Sequence, residues 1–210
     1  EKDTGGYAAF VMTSQNPANG TAGVIEMQFD LPDFSAPHTQ PASTADRVVA
    51  HEMVHAMQAQ NSYYGDIVGD GASSGKWFKE GLAEFIHGAD ASAASILASN
   101  GDDYAALNGA IGTGNETWST GEQYASGYLA VKYLHSKIQA AGFGDGIKHM
   151  TQWMKNGFDT GQGAANSGID AYFTAHGGIG YAGNNAFLTD FKGAAGQAFV
   201  KNLNDTGVLA

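Results

Sequence analysis

The chain has 210 residues, 43% of them hydrophobic, which is enough to fill the core of one large domain or of two small lobes sharing a cleft. Lys and Arg number 10 against 21 Asp and Glu, a formal charge of −11, and no basic cluster stands ready to neutralise phosphates, which argues against nucleic acid and anionic membrane surfaces as partners. Cysteine is absent, so disulfides and thiolate ligands are excluded together and any metal must be held by His and carboxylates. No apolar run approaches the roughly 20 residues of a bilayer span. The start at Glu1 rather than Met reads as a mature or excised segment of something longer. Thirty glycines and only 15% charged residues fit a secreted or surface-displayed bacterial protein.

Taken in order, Tyr7–Met12 is a short apolar run and Asn16–Gly20 supplies turn chemistry. Val24–Phe29 then alternates, with Ile25, Met27 and Phe29 on one side and Val24, Glu26 and Gln28 on the other. This pattern predicts a β-hairpin with a half-exposed second strand. Leu31–Pro41, with three prolines, reads as a loop. Ser43, Thr44 and Asp46 offer a helix start, and Val48, Val49, Val54 and Met57 the apolar contacts of the helix that follows. Asn61–Gly75 reads as loop, and Trp77–His87 as a helix with Phe78, Leu82, Phe85 and Ile86 as its apolar stripe.

Further on, Ala91–Ser99 and Asp102–Asn108 predict short helices before a Gly-rich break at Gly112–Asn115. Ser119 with Glu122 is a capping-box pattern for a long helix, Gly121–Ala141, closed by Gly142. Gly146–Asn156, Ile169–Ala175 and Ala186–Leu203, the last an amphipathic stretch interrupted by glycines, predict the remaining helices, with Gly161–Ser167 a loop. The fold class is therefore α+β, mostly helical: a single domain in which residues 1–60 supply a small sheet and the first long helix, and residues 61–210 a helical lobe.

The chemistry concentrates in Arg47–Gln60, RVVAHEMVHAMQAQ. On a helix His51 and His55 lie on one face, one turn apart, so two imidazoles can hold one ion. Glu52, offset from the pair, is placed to act as general base: HExxH is a zinc pattern with its base built in. A catalytic zinc takes a third protein ligand. Glu80 is the best candidate, 25 residues past His55, with Glu84 one turn on to accept a hydrogen bond from a ligand imidazole. His87 follows the same stripe and reads either as a partner standing behind the ligands or, the favoured reading, as an exposed helix-end residue. His38, His135, His149 and His176 have no partner at ligand spacing and read as surface or packing residues. Scattered Asp residues admit calcium, although no EF-hand pattern is present.

HExxH followed by a helical ExxxE resembles the gluzincin metallopeptidases, and WFKEGLAEF looks like the corresponding segment of clostridial-type collagenases. A closer resemblance is to flagellinolysins, metallopeptidase domains inserted in the variable region of some bacterial flagellins. It rests on VAHEMVHA, WFKEGLAEFIHGAD, EQYASGYLAVKYLHSKI and NNAFLTDFKGAAGQAF. The flagellin coiled-coil termini are absent, so the chain would correspond to the insert alone. The resemblance implies a thermolysin-like fold and a zinc endopeptidase acting outside the cell on protein or peptide substrates, plausibly in a flagellar filament. By similarity, Tyr124 is the oxyanion donor, with Tyr128 on the same helix face its competitor. The backbone of Ala22, Gly23, Val24 and Ile25 lies where gluzincins place the edge strand that pairs with substrate. Two other readings are a secreted collagenase-like gluzincin of different specificity and an inactive surface domain of a filament. The GxMEN motif of aminopeptidases is missing, and the presence of Glu52 argues against a purely structural metal.

Overall fold

The computed structural model describes residues 8–16, 20–30, 34, 42–68, 75–114 and 116–209. His38, Asn115 and most of the Leu31–Pro41 loop lie outside them. Two antiparallel strands, β1 (Ala9–Asn16) and β2 (Thr21–Phe29), form the hairpin. Its turn ends at Gly20, which takes a positive φ of 70° and accepts the Gly65 N–H. The register slips between Met12 and Thr13, pairing Met12 with Glu26 but Thr13 with Val24. Ile25 is thus the extra residue of a β-bulge, 59% exposed, while Ala22 and Val24 pack on the core. The expected grouping of Ile25 with Met27 and Phe29 fails because a bulge resets the two-residue alternation.

The long helix α1 (Ala42–Asn61) starts early enough that Asp46 falls past its first turn. Only Val54 of its four expected apolar contacts is fully buried; Val49 and Met57 face solvent. The segment expected as loop after Asn61 contains a further helix, α2 (Tyr64–Val68), anchored by buried Tyr63, Tyr64 and Ile67. Helix α3 (Lys76–His87) buries Trp77, Phe78, Leu82 and Ala83 and ends at Gly88, which adopts the left-handed conformation. Ile86, expected in the apolar stripe, is exposed.

Helices α4 (Asp90–Ser99) and α5 (Tyr104–Asn108) lead to α6 (Gly121–Ala140), the buried axis of the helical part. The cap of α6 lies one residue later than expected: Thr120 accepts from the Gln123 N–H, and Gln123 accepts from the Ser119 N–H. Its C-terminus closes as expected at Gly142, where Phe143 N–H donates to the Ile138 carbonyl and Gly142 N–H to the Gln139 carbonyl, a Schellman motif. Helices α3 and α6 cross at two glycines. A methyl group on Gly81 would stand 2.2 Å from the Gly127 carbonyl oxygen.

Helix α7 (Ile147–Asp159) runs through Gly157, where Ser167 of the short helix α8 (Ala164–Ser167) approaches too closely for a side chain. Helix α9 (Ile169–Ala175) spans the expected residues. The helix expected over Ala186–Leu203 is two, α10 (Asn184–Lys192) and α11 (Ala194–Asp205), broken at extended Gly193. Gly196 lets the second pack on the first, since a Cβ there would collide with the Phe191 backbone. The Trp77 indole donates to Asn184 at 2.7 Å and stacks on Phe187, tying the start of α3 to the C-terminal helices. The structure is mostly helical with a small antiparallel sheet, as α+β patterning requires. Among the described residues no helix is long and apolar enough to cross a membrane.

Candidate metal centre

Helices α1 and α3 pack side by side, and their facing polar stripes meet. The i, i+4 spacing brings the His51 and His55 rings together edge to face, with centroids 4.5 Å apart. Opposite them, a single oxygen of Glu80, Oε2, lies 3.2 Å from His51 Nε2 and 3.0 Å from His55 Nε2. The other Glu80 oxygen accepts from the Lys79 ammonium at 2.7 Å. That division presents one carboxylate oxygen to the imidazoles and neutralises the second.

The far nitrogens are also held. His51 Nδ1 lies 2.9 Å from Glu84 Oε1, and His55 Nδ1 lies 2.9 Å from Gln58 Oε1. Gln58 in turn donates to the Lys79 carbonyl at 3.0 Å. Carboxylate and amide oxygens can only accept here, so each Nδ1 carries a proton, and both Nε2 atoms face the single Glu80 oxygen, to which His51 donates in the metal-free protein. Glu84 therefore lies against His51 in the place expected of it.

Electrostatics bind the cluster tightly. Burial opposes the charge on His51, but its hydrogen bonds to the Glu80 and Glu84 carboxylates, with their charge, outweigh it and raise its pKa from 6.5 to about 9. Burial would lift both carboxylates, yet their histidine partners prevail: Glu80 is held well below the ordinary range and Glu84 at about 2. Burial likewise works against the Lys79 ammonium, and the Glu80 charge overrides it.

Glu52 is buried on α1 beside these groups, and its charge is felt by Lys79 and Tyr64. The Tyr124 ring of α6 reaches the cluster, 5.9 Å from His51 between centroids. Tyr128, its competitor, is engaged elsewhere, because its hydroxyl donates to Asp90 at 2.5 Å and accepts from Lys132 at 2.9 Å. Burial and Asp90 together push that hydroxyl far above its ordinary pKa. The Ala22–Val24 stretch pairs with β1 along one edge. Because the sheet has two strands among the described residues, β2 keeps its other edge without a ladder partner.

Two residues of the cluster carry no clear signal in the sequence, and a third is more buried than its position suggested. Gln58 and Lys79 sit i+3 from His55 and next to Glu80, spacings that have no metal signature by themselves. His87, expected to be exposed, has a side chain only 4% accessible and places Nε2 3.1 Å from Glu84 Oε2. Its i+3 spacing from Glu84 was the available signal. Among the other histidines described, His135 accepts from the Ile147 N–H, and His149 and His176 pack on Tyr172.

The donor set suits zinc. Bonds of about 2.0–2.1 Å in a tetrahedral site imply ligand atoms roughly 3.3 Å apart, close to the two Glu80–imidazole distances. The three donor atoms lie within 4.8 Å of one another, and two imidazoles with one carboxylate leave a fourth position open. A second group, His51, Glu84 and His87, shares His51 with the first. Both groups contain histidine, which calcium disfavours.

A family model described as collagenase matches residues 33–158, well over half of the chain and inclusive of α1, α3 and α6. No curated protein and no solved structure matches it. The match covers the two helices that bring two histidines and a glutamate to one point, and with it the chain belongs to the collagenase family of metallopeptidases, for which zinc is the implied metal.

Proposed function

We propose that the chain is a zinc-dependent endopeptidase of the gluzincin type. The observation that carries this reading is the single Glu80 oxygen within 3.2 and 3.0 Å of the two imidazole nitrogens of HExxH, contributed by a separate helix. His51, His55 and Glu80 would hold the ion, and a bound zinc supplies Lewis-acid polarisation of the scissile carbonyl and of the attacking water. Glu52 takes the proton of that water and later delivers it to the leaving amine. Tyr124, exchanging its hydrogen bond to the neutral Trp118 carbonyl for the stronger charged acceptor, donates to the developing oxyanion. Glu84 fixes the His51 tautomer, and the open edge of β2 at Ala22–Ile25 pairs with the extended substrate. Calcium has no part in this reading.

The finer assignment is an extracellular, flagellin-borne enzyme acting on or near flagellar filaments. What supports it is the likeness of the α1, α3, α6 and α10–α11 segments to flagellinolysins. The tests are direct. One zinc per chain is expected in the wild type and none in Glu80→Ala; zinc retained without Glu80 would remove it from the ligand set. Purified filaments and gelatin, offered separately, decide the substrate. Cleavage of gelatin with filaments left intact would favour a secreted collagenase-like enzyme, and cleavage of neither would favour an inactive surface domain.

A further inference from the structure

We infer that His87 is a positioning residue of the metal centre, locking Glu84 so that His51 presents Nε2 to the ion. The inference rests on the zinc-site reading above. Glu84 stands between two histidines: Oε1 meets His51 Nδ1 at 2.9 Å, and Oε2 meets His87 Nε2 at 3.1 Å. A carboxylate held through one oxygen can still rotate about its last torsion. Held through both, it has one orientation, which is the one that accepts the His51 Nδ1–H. The His51 and His87 rings lie 6.1 Å apart with Glu84 spanning them.

A packing role alone does not account for His87. Its Nδ1 is buried with no hydrogen-bond partner among the described residues, and an unpartnered buried polar atom destabilises a fold. A leucine or methionine would fill the volume without that cost. The residue is kept polar at the last turn of α3, immediately before the left-handed Gly88 that ends the helix. There the described neighbour that uses its polarity is the carboxylate that orients a metal-binding imidazole.

The test compares wild type, His87→Gln, which keeps a donor near the Nε2 position, and His87→Leu, which keeps bulk without a donor. Zinc affinity is measured by chelator competition, and the His51 tautomer by nitrogen NMR of the metal-free protein at a pH above 9, where the imidazole is neutral. Loss of an outer partner of a metal ligand costs about 10–100-fold in affinity. His87 acts one bond further out, so His87→Leu should weaken zinc by about 10-fold and populate both His51 tautomers. His87→Gln should stay within about 3-fold of wild type and keep the Nδ1–H form. In a Glu84→Ala background, His87→Leu should have no further effect. Wild-type affinity and tautomer in folded His87→Leu, or equal losses in both variants, would overturn the inference. If the wild type binds no zinc, the metal reading fails by itself, and the metal-free NMR comparison still decides whether His87 fixes the His51 tautomer.

Discussion

Tyr124 donates its hydroxyl to the carbonyl of Trp118 at 2.9 Å while its ring leans on His51. Trp118 offers that carbonyl from a left-handed backbone, φ 54°, a conformation that a bulky residue adopts only when its surroundings impose it. Here the indole packs against Gly127 and the Tyr124 ring, so the strained residue parks the tyrosine beside the metal site. Tyr124→Phe should lower turnover by about 10²–10³, the cost of one oxyanion donor, with zinc content unchanged. Tyr128→Phe, which loses the Asp90 bond, should leave turnover near wild type. Steady-state rates of the two variants settle the choice, and full activity in Tyr124→Phe would exclude it as the donor.

The crossing of α3 and α6 sets where Glu80 and Glu84 stand. Gly81→Ala drives a methyl into the Gly127 carbonyl and should destabilise the fold by about 1–3 kcal/mol, with the upper end expected because the obstacle is backbone. Gly127→Ala meets Trp118 and the Gly81 Cα at 3.2–3.3 Å and should cost less. Denaturant midpoints for the pair check the order.

What the sequence revealed, and what it concealed, follows from the range of the interactions. His51, Glu52, His55, Glu80 and Glu84 were legible because each pair is fixed by helix geometry within one turn, and the turn is a local object. The Gly142 stop of α6 was legible for the same reason. Burial was not local. Met57 points to solvent and Val54 to the core because α3 covers only one side of α1. The Gly- and Ser-rich stretch after Asn61 hides α2, whose Tyr64 and Ile67 are held by distant packing. Ile25 is displaced from its expected face by one bulged residue, and the close approach of Gly196 to the Phe191 backbone is a contact that no periodicity reports. His87 was legible on the Glu80–Glu84 stripe, but its burial was not, because a histidine at a helix end is exposed unless a neighbour closes over it.

Glu84→Gln retains the shape of the side chain and removes its charge. Zinc affinity should fall about 10–100-fold, while Glu80 keeps its two imidazole contacts. Chelator competition measures the change; undiminished affinity would show that Glu84 does not support the ligand His51.

Metal removal should expose an acid–base signature. With His51 raised from 6.5 to about 9, its contribution to metal-free stability is complete below about pH 6.5 and is lost as the pH rises through 9. Glu84, held at about 2, contributes above about pH 4.5 and loses its contribution as the pH falls toward 2, and Glu80, held well below its ordinary range, acts in the same direction. The chelated protein should therefore melt highest between about pH 4.5 and 6.5 and lower at pH 9. Zinc must displace the His51 proton, so loading at pH 7.5 should acidify a weakly buffered solution. Thermal melts across this range and an indicator dye read both effects. A flat profile would mean that His51 is not held as an ion pair.

The most direct test of the central claim is zinc content beside casein or flagellin cleavage, for the wild type and Glu52→Gln. The expected result is one zinc per chain in both, with cleavage falling by about 10²–10⁴ in the variant, the contribution of a positioned general base. Equal cleavage by both proteins, or a wild type that holds no zinc, would contradict it.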